Sequence, residues 1–172
     1  MRTPAWLTAS SLALLLLAAC ASMDKDECRT ADWYAVGLED GARGRAVERL
    51  GDHRRACAEH NVTPNAQRYV AGRNEGLKSF CTYERGFAEG RAAHAYVANC
   101  PAGSTFPAGY SRGRDLNALE RRLGEVNQEI SRIKTALKEG IPNPRTRSIE
   151  IERLEAMTRE AEQLESRIEQ YR

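Results

Sequence analysis

The most regular pattern of apolar and polar positions lies in the C-terminal third of the chain. Leu116, Leu119, Leu123, Val126, Ile130, Ile133 and Leu137 follow one another in alternating steps of three and four residues. That spacing predicts a helix with one continuous apolar seam, as in a coiled coil. Gly140-Ile141-Pro142-Asn143-Pro144 then breaks the helix, because proline lacks the donor and clashes with the preceding turn. The pattern resumes with Leu154, Met157, Ala161, Leu164, Ile168 and Tyr171, after an out-of-phase Ile149 and Ile151. Two arms, 114–139 and 148–172, are expected to close on each other as an antiparallel coiled-coil hairpin. Charge agrees. The first arm holds six basic and five acidic residues (+1), the second four and seven (−3). The competing arrangement is a homo-oligomer joined through the same seam.

The other long apolar run stands at the N-terminus, through Leu7 and Leu12 to Leu17, behind Arg2. It is short for a membrane span and ends on small residues, so 1–19 reads as a secretory signal. Its end, Leu17-Ala18-Ala19-Cys20, resembles the lipobox of bacterial lipoproteins. The resemblance implies that Cys20 becomes an acylated N-terminus anchored in the membrane, since several acyl chains hold stably where one does not. Ala21 stands in place of the aspartate that retains such proteins in the inner membrane, which implies an outer-membrane anchor facing the periplasm. Residues 20–27 then form a short linker.

Between linker and hairpin, residues 28–111 form a module with four further cysteines, Cys28, Cys57, Cys81 and Cys100. An even count in an exported chain predicts two disulfides, with three connectivities open. Glycine sites at Asp40–Gly44 and at Gly90 lie midway between the first and second pairs. Chain reversal there favours Cys28–Cys57 and Cys81–Cys100. A weak repeat, aromatic-x-x-Gly-x-x-x-Gly, runs through Tyr34-Gly37-Gly41, Tyr69-Gly72-Gly76 and Tyr83-Gly86-Gly90, with a decayed copy at Tyr110-Gly113-Asn117. On a helix these positions share a face and would let two backbones approach closely. Glycines as plain turn formers are the other reading. Short helices are expected over about 30–40, 46–60, 64–80 and 83–98, with Thr30 and Thr63 as caps and Pro64 opening the third. The fold class is therefore all-α: a small disulfide-stapled helical module followed by the hairpin (112–172).

The segments Ala31-Asp32-Trp33, Asp40–Gly44, His53–Cys57, Val62-Thr63-Pro64, Tyr69–Leu77, Phe80-Cys81, Gly86–Gly90 and Cys100-Pro101 stand in one order. As a set they resemble a family of proteobacterial lipoproteins that share a domain of unknown function. The resemblance implies an envelope location and supplies no catalytic residues.

The 172-residue chain has a net charge of +2, which leaves no electrostatic footprint for nucleic acid. His53, Cys57 and His60 share a helix face and could join Cys81 or His94 around zinc, but an oxidising compartment favours disulfides. No catalytic set, metal or cofactor is expected. If the module has a binding cleft, Trp33, Asp40, His53 and Arg73 are its candidates by residue type and by the family resemblance. The expected function is a non-enzymatic structural or protein-binding adaptor, held to the membrane by its lipid and touching an envelope partner through the hairpin. Binding of a small ligand or cell-wall fragment in the module is the alternative, and a zinc-dependent hydrolase the distant third.

Overall fold

The computed structural model describes residues 22–97 and 99–171. The expected signal segment and the expected acylation site, Cys20, lie outside the described residues. Among the described residues seven helices follow in order: α1 Lys25–Thr30, α2 Trp33–Ala42, α3 Arg49–Ala58, α4 Ala66–Phe80, α5 Tyr83–Arg91, α6 Phe106–Glu139 and α7 Pro144–Glu169. The described residues form an all-helical structure, with two disulfides in its N-terminal part and a long helical hairpin at its C-terminus.

Glycine positions dictate the packing of the module. A Cβ on Gly37 or Gly41 of α2 would strike the backbone of Tyr69 or Arg73 on α4, and a Cβ on Gly72 or Gly76 would strike Tyr34 or Leu38 in return. Matched positions rise together along both helices, so α2 and α4 run parallel. The glycine hydrogen in the Cβ direction points at a carbonyl oxygen of the facing helix, the geometry of a Cα–H···O contact. The same arrangement recurs between α5 and α6. Gly86 and Gly90 face Phe106 and Tyr110, while Gly109 and Gly113 face Tyr83 and Phe87. The fourth copy of the repeat is thus Phe106-Gly109-Gly113, one turn earlier than the copy expected at Tyr110. Asn117 instead donates to the Arg91 carbonyl that ends α5 (2.9 Å). Gly41 and Gly90 are helical and do not turn the chain. Reversal comes after them, at Gly44 (φ +68) and at Ala93 (φ +58).

Each parallel pair needs a crossover, and each crossover carries a cysteine. Cys28, ahead of α2, bonds to Cys57 in α3, and Cys81, ahead of α5, bonds to Cys100 before α6, both with Cα–Cα of 5.5 Å. The module is therefore a tandem of two alike units, each a cysteine-closed loop followed by a partner helix. They meet end to end where Phe80 stacks on Phe106 (5.2 Å between centroids). Asn99 donates to the Gly44 carbonyl across the same junction (3.0 Å).

Helix starts follow side-chain caps. Asp24 and Glu27 form a capping box on α1, Asp32 caps α2, Asn65 caps α4 and Thr82 caps α5. The caps expected at Thr30 and Thr63 are displaced by these better placed acceptors. The fourth expected helix stops at Arg91, short of 98. In the hairpin, Leu119, Val126 and Ile130 of α6 pack on Ala161 and Leu164 of α7, with Leu123, Leu154, Met157, Ile168 and Tyr171 at the margins. Asn143 caps α7, which starts at Pro144 and not at Ser148. Ile149 and Ile151 are exposed.

The boundary expected between 111 and 112 falls within α6, a single helix of 34 residues that runs through it. Its first turns pair with α5, and Arg91 still reaches Glu120 (2.7 Å). From the other side, α7 comes back as far as Arg112, whose guanidinium lies over the Tyr171 ring (4.6 Å) and donates to the Gln170 carbonyl (2.9 Å). Module and hairpin share this stretch of helix and have no linker between them.

Candidate functional site

The parallel packing of α2 on α4 brings Asp40 and Tyr69 together in the interior of the first unit. α3, clipped to the chain ahead of α2 by the Cys28–Cys57 bond, lays His53 on them. The Asp40 carboxylate is buried and accepts from the Tyr69 hydroxyl (2.7 Å) and from His53 Nε2–H (2.9 Å), both at Oδ2. On the other side of the ring, His53 Nδ1 lies within hydrogen-bond distance of the Ser22 hydroxyl (3.1 Å). This is a continuous polar chain from the half-exposed Ser22 into the core. Burial by itself would raise the Asp40 carboxyl, but the hydrogen bonds from His53 and Tyr69 and the nearby His53 and Arg49 charges outweigh it. The net effect holds Asp40 below the usual carboxylate range. Burial, then the bond to Asp40, push the Tyr69 phenol up, so it stays a proton donor. A buried carboxylate is tolerated only when its lone pairs are met in this way.

A cleft of about 460 Å³ opens beside this chain, between α1, α2 and α3. Asp40 and His53 line it with Ser22, Glu27, Glu39, Arg43 and Arg49, and Met23 closes its apolar side. Of the four residues expected at a binding cleft, Asp40 and His53 thus meet there. Trp33 is buried behind them, its ring 6.4 Å from the His53 ring. Arg73 is buried on α4 and spends its Nε–H on the Arg45 carbonyl (2.8 Å), where it fixes the turn after α2. It does not line the cleft. Sequence reasoning passed over Tyr69, Ser22 and Arg49. Tyr69 was legible as the aromatic of the second repeat copy, and Arg49 as the residue one turn before His53. Nothing in the sequence distinguishes Ser22.

The second unit makes an instructive comparison. Its counterpart of Tyr69 is Phe106, fully buried and without a hydroxyl. Its acid–histidine pair, Glu89 to His94 (2.7 Å), lies at the surface with His94 exposed. The aromatic cluster of Phe80, Tyr96, Phe106 and Tyr110 fills the space instead. One scaffold is used twice, and only the first copy carries an internal polar site.

The zinc arrangement weighed for His53, Cys57, His60, Cys81 and His94 is not assembled. Cys57 and Cys81 are spent in disulfides, His53 is held by Asp40 and Ser22, and His94 by Glu89. Among the described residues no group of acidic, histidine or cysteine side chains is placed to hold a metal ion. None of the helices among the described residues is long and apolar enough to cross a membrane.

No curated protein and no solved structure matches the chain. A family model does match, over residues 32–115, starting at the Asp32 cap of α2 and ending just past Gly113 in α6. Those limits enclose both glycine-paired helix pairs and leave out α1 with Cys28, Ser22 and most of the hairpin. The chain thus carries, at residues 32–115, a domain described as a protein of unknown function (DUF2799).

Proposed function

We propose that the chain is a lipoprotein of the bacterial outer membrane, of the proteobacterial kind its motifs resemble. It acts at the periplasmic face as a non-enzymatic structural or protein-binding adaptor. The observation that carries this reading is the unbroken α6. Its 34 residues extend about 51 Å at 1.5 Å per residue, from the Phe80–Phe106 junction to the hairpin tip. The partner-facing arm is thus an extension of the module's own packing, which suits an element that holds something at a fixed distance. Leu17-Ala18-Ala19-Cys20 supports the anchor, and the buried Met23 keeps the tether short. A photoreactive side chain placed at Gln128 or Glu162 on the hairpin should capture a discrete envelope protein, and one at Arg54 or Asn74 on the module should not. Capture from the module sites alone would refute the adaptor. Cys20→Ser should leave the chain unacylated, and unchanged partition into detergent would refute the anchor.

A second reading, binding of a small ligand or cell-wall fragment by the module, is favoured by the cleft beside Asp40 and His53. The hydrolase reading has no support left once Cys57 and Cys81 are bonded.

A further inference from the structure

The hairpin distributes its charge unevenly. Residues 134–149, which form its tip, hold four basic residues and one acidic (+3), whereas 150–172 hold four and seven (−3). On the shaft, Arg122, Arg132 and Arg153 are tied to Glu160 and Glu129. At the tip, Lys134, Lys138, Arg145 and Arg147 are exposed, and none makes an ion pair among the described residues. Both arginines stand in the first turn of α7, which has no acidic residue. The helix dipole opposes a cation there, so the placement works against the helix. By contrast, α1 opens on Asp26 and Glu27. The fold leaves a positive field at the tip that nothing within it answers.

Apolar side chains are left uncovered at the same end. Ile149 is 54% exposed and Ile151 41%, and Ile141 stands half-buried in the loop. Two residues on a helix turn through about 200°, so Ile149 and Ile151 occupy opposite flanks of α7. A protein surface laid against the hairpin covers one flank. A lipid surface that receives the tip end-on surrounds it and covers both. Ile149 is five residues from Pro144, about 8 Å along the helix, within the depth to which apolar groups enter the boundary of headgroups and acyl chains. The start of α7 is prepared for such surroundings. Pro144 has no N–H, those of Arg145 and Thr146 are met by the Asn143 side chain, and that of Arg147 by the Asn143 carbonyl. An apolar environment requires backbone donors to be satisfied within the protein in this way. We propose that the hairpin tip docks end-on against an anionic lipid surface. Lys134, Lys138, Arg145 and Arg147 meet lipid phosphates, and Ile141, Ile149 and Ile151 enter the boundary. The adaptor reading concerns the shaft, where Gln128 and Glu162 lie, so the docking of the tip goes beyond it and does not rest on the anchor.

The chain's isoleucines, Ile130, Ile133, Ile141, Ile149, Ile151 and Ile168, all lie in the hairpin, so their methyl signals report how it meets a bilayer. The full chain is placed in phosphatidylcholine bicelles that contain a spin-labelled lipid, and phosphatidylglycerol is introduced stepwise. The methyls of Ile141, Ile149 and Ile151 should broaden as the anionic lipid rises and should recover in high salt. Ile168, toward the other end of α7, should stay sharp. Arg145→Gln with Arg147→Gln should weaken docking about tenfold or more. Ile149→Ser with Ile151→Ser, read at Ile141, should weaken it by a similar factor. Arg121→Gln with Arg159→Gln removes the same charge more than about 20 Å from the tip, beyond the reach of a screened surface potential, and should change docking by less than about twofold. All these side chains are exposed, and unchanged Ile130 and Ile133 signals would show that each variant is folded. No broadening at the tip, equal broadening in neutral bicelles, broadening of Ile168 together with the tip, or tip variants that dock like the parent would each overturn the proposal. Tighter binding of a soluble oligoglutamate than of the phosphatidylglycerol surface would assign the tip to an acidic protein instead, and tip signals that move with protein concentration alone would assign it to a second copy. None of these outcomes bears on crosslinking from Gln128 and Glu162 or on acylation of Cys20, so adaptor, anchor and tip stand or fall separately.

Discussion

Substitution of Gly72 by alanine gives the sharpest test of the fold. A methyl group there would stand against the Tyr34 carbonyl, with its carbon at 2.8 Å and the Leu38 nitrogen at 3.0 Å. Ordinary contact begins at 3.4 Å, so α2 and α4 must part by at least 0.6 Å (3.4 − 2.8) at this point. These obstacles are backbone atoms within helices, which cannot swing aside. Parting the pair also lengthens the reciprocal contacts at Gly37, Gly41 and Gly76, each worth about 0.5–1 kcal/mol. Overpacking of a tight contact costs about 1–3 kcal/mol, partly the same energy counted another way. Against this, alanine favours a helix over glycine by about 1 kcal/mol. The net expectation is a loss of about 2–4 kcal/mol. Gly124 supplies the control, for it lies in mid-helix on α6 with nothing within 4 Å of a Cβ. There the same change should gain about 0.5–1 kcal/mol. Urea unfolding followed by far-ultraviolet circular dichroism reads both, with midpoints moving in opposite directions. If Gly72→Ala is neutral or stabilising, α2 and α4 do not touch through their glycines, and the parallel pairing is wrong.

Cys28→Ala and Cys57→Ala should each cost about 2–5 kcal/mol, and the double variant should be little worse than either. A larger non-additive coupling of Cys28 with Cys81 or Cys100 would contradict the pairing. Asp40 titrates below its unfolded value of 3.8, so its stabilisation is present above that pH and is lost as pH falls through the folded value. The stability gap between the parent and Asp40→Asn should therefore shrink in acid, and a gap that stays constant from neutral pH into strong acid would exclude the bonded carboxylate. Val126→Asp would bury a charge in the hairpin seam at a cost of several kcal/mol. Limited proteolysis should then cut α7 and the far half of α6, with the α5–α6 glycine pair protected; loss of protection at Gly86–Arg91 would show that the units are not independent. A chain ended after Tyr110 lacks Gly113 and Asn117, which hold Phe87 and the end of α5, and should lose the second unit; one ended after Gly124 should keep it, as amide exchange in α5 would report.

The hairpin was legible because its signal is periodic and made of large side chains. The glycine pairing was legible only as spacing. Sequence offered helix contact and turn formation as equal accounts of Gly41 and Gly90, and only the facing backbone decides between them. The fourth copy was hidden by Pro107, which reads as a breaker and in fact occupies the first turn of α6, where its missing N–H costs nothing. Helix α1 was missed although Asp24 and Glu27 spell a capping box, because Lys25–Thr30 has no apolar period. Of the candidate site, Asp40 and His53 were legible as polar residues flanked by structural motifs. Arg73 was expected at a cleft, and nothing in sequence shows that Arg45 presents it with a carbonyl instead. Ser22 enters the cleft only through tertiary contact, to which local pattern is blind.

The placement of the two disulfides has a mechanical consequence. Tension applied between the residues ahead of Cys28 and the hairpin would reach Cys28, cross directly to Cys57, run along α4 to Cys81, cross to Cys100 and enter α6. The stretches enclosed by the bridges, with sequence separations of 29 and 19, hold α2 and α5 and lie off this path. In the oxidised protein neither glycine-paired interface bears the load. Reduction would reroute the pull through α2 and α5. Because each helix is parallel to its partner, the force would then enter one helix at its C-terminal end and leave the other at its N-terminal end. That is shear, in which every contact of the interface is strained at once. The bridges act as covalent bypasses, and a reduced chain would convert its two tightest interfaces into the elements that must bear the strain.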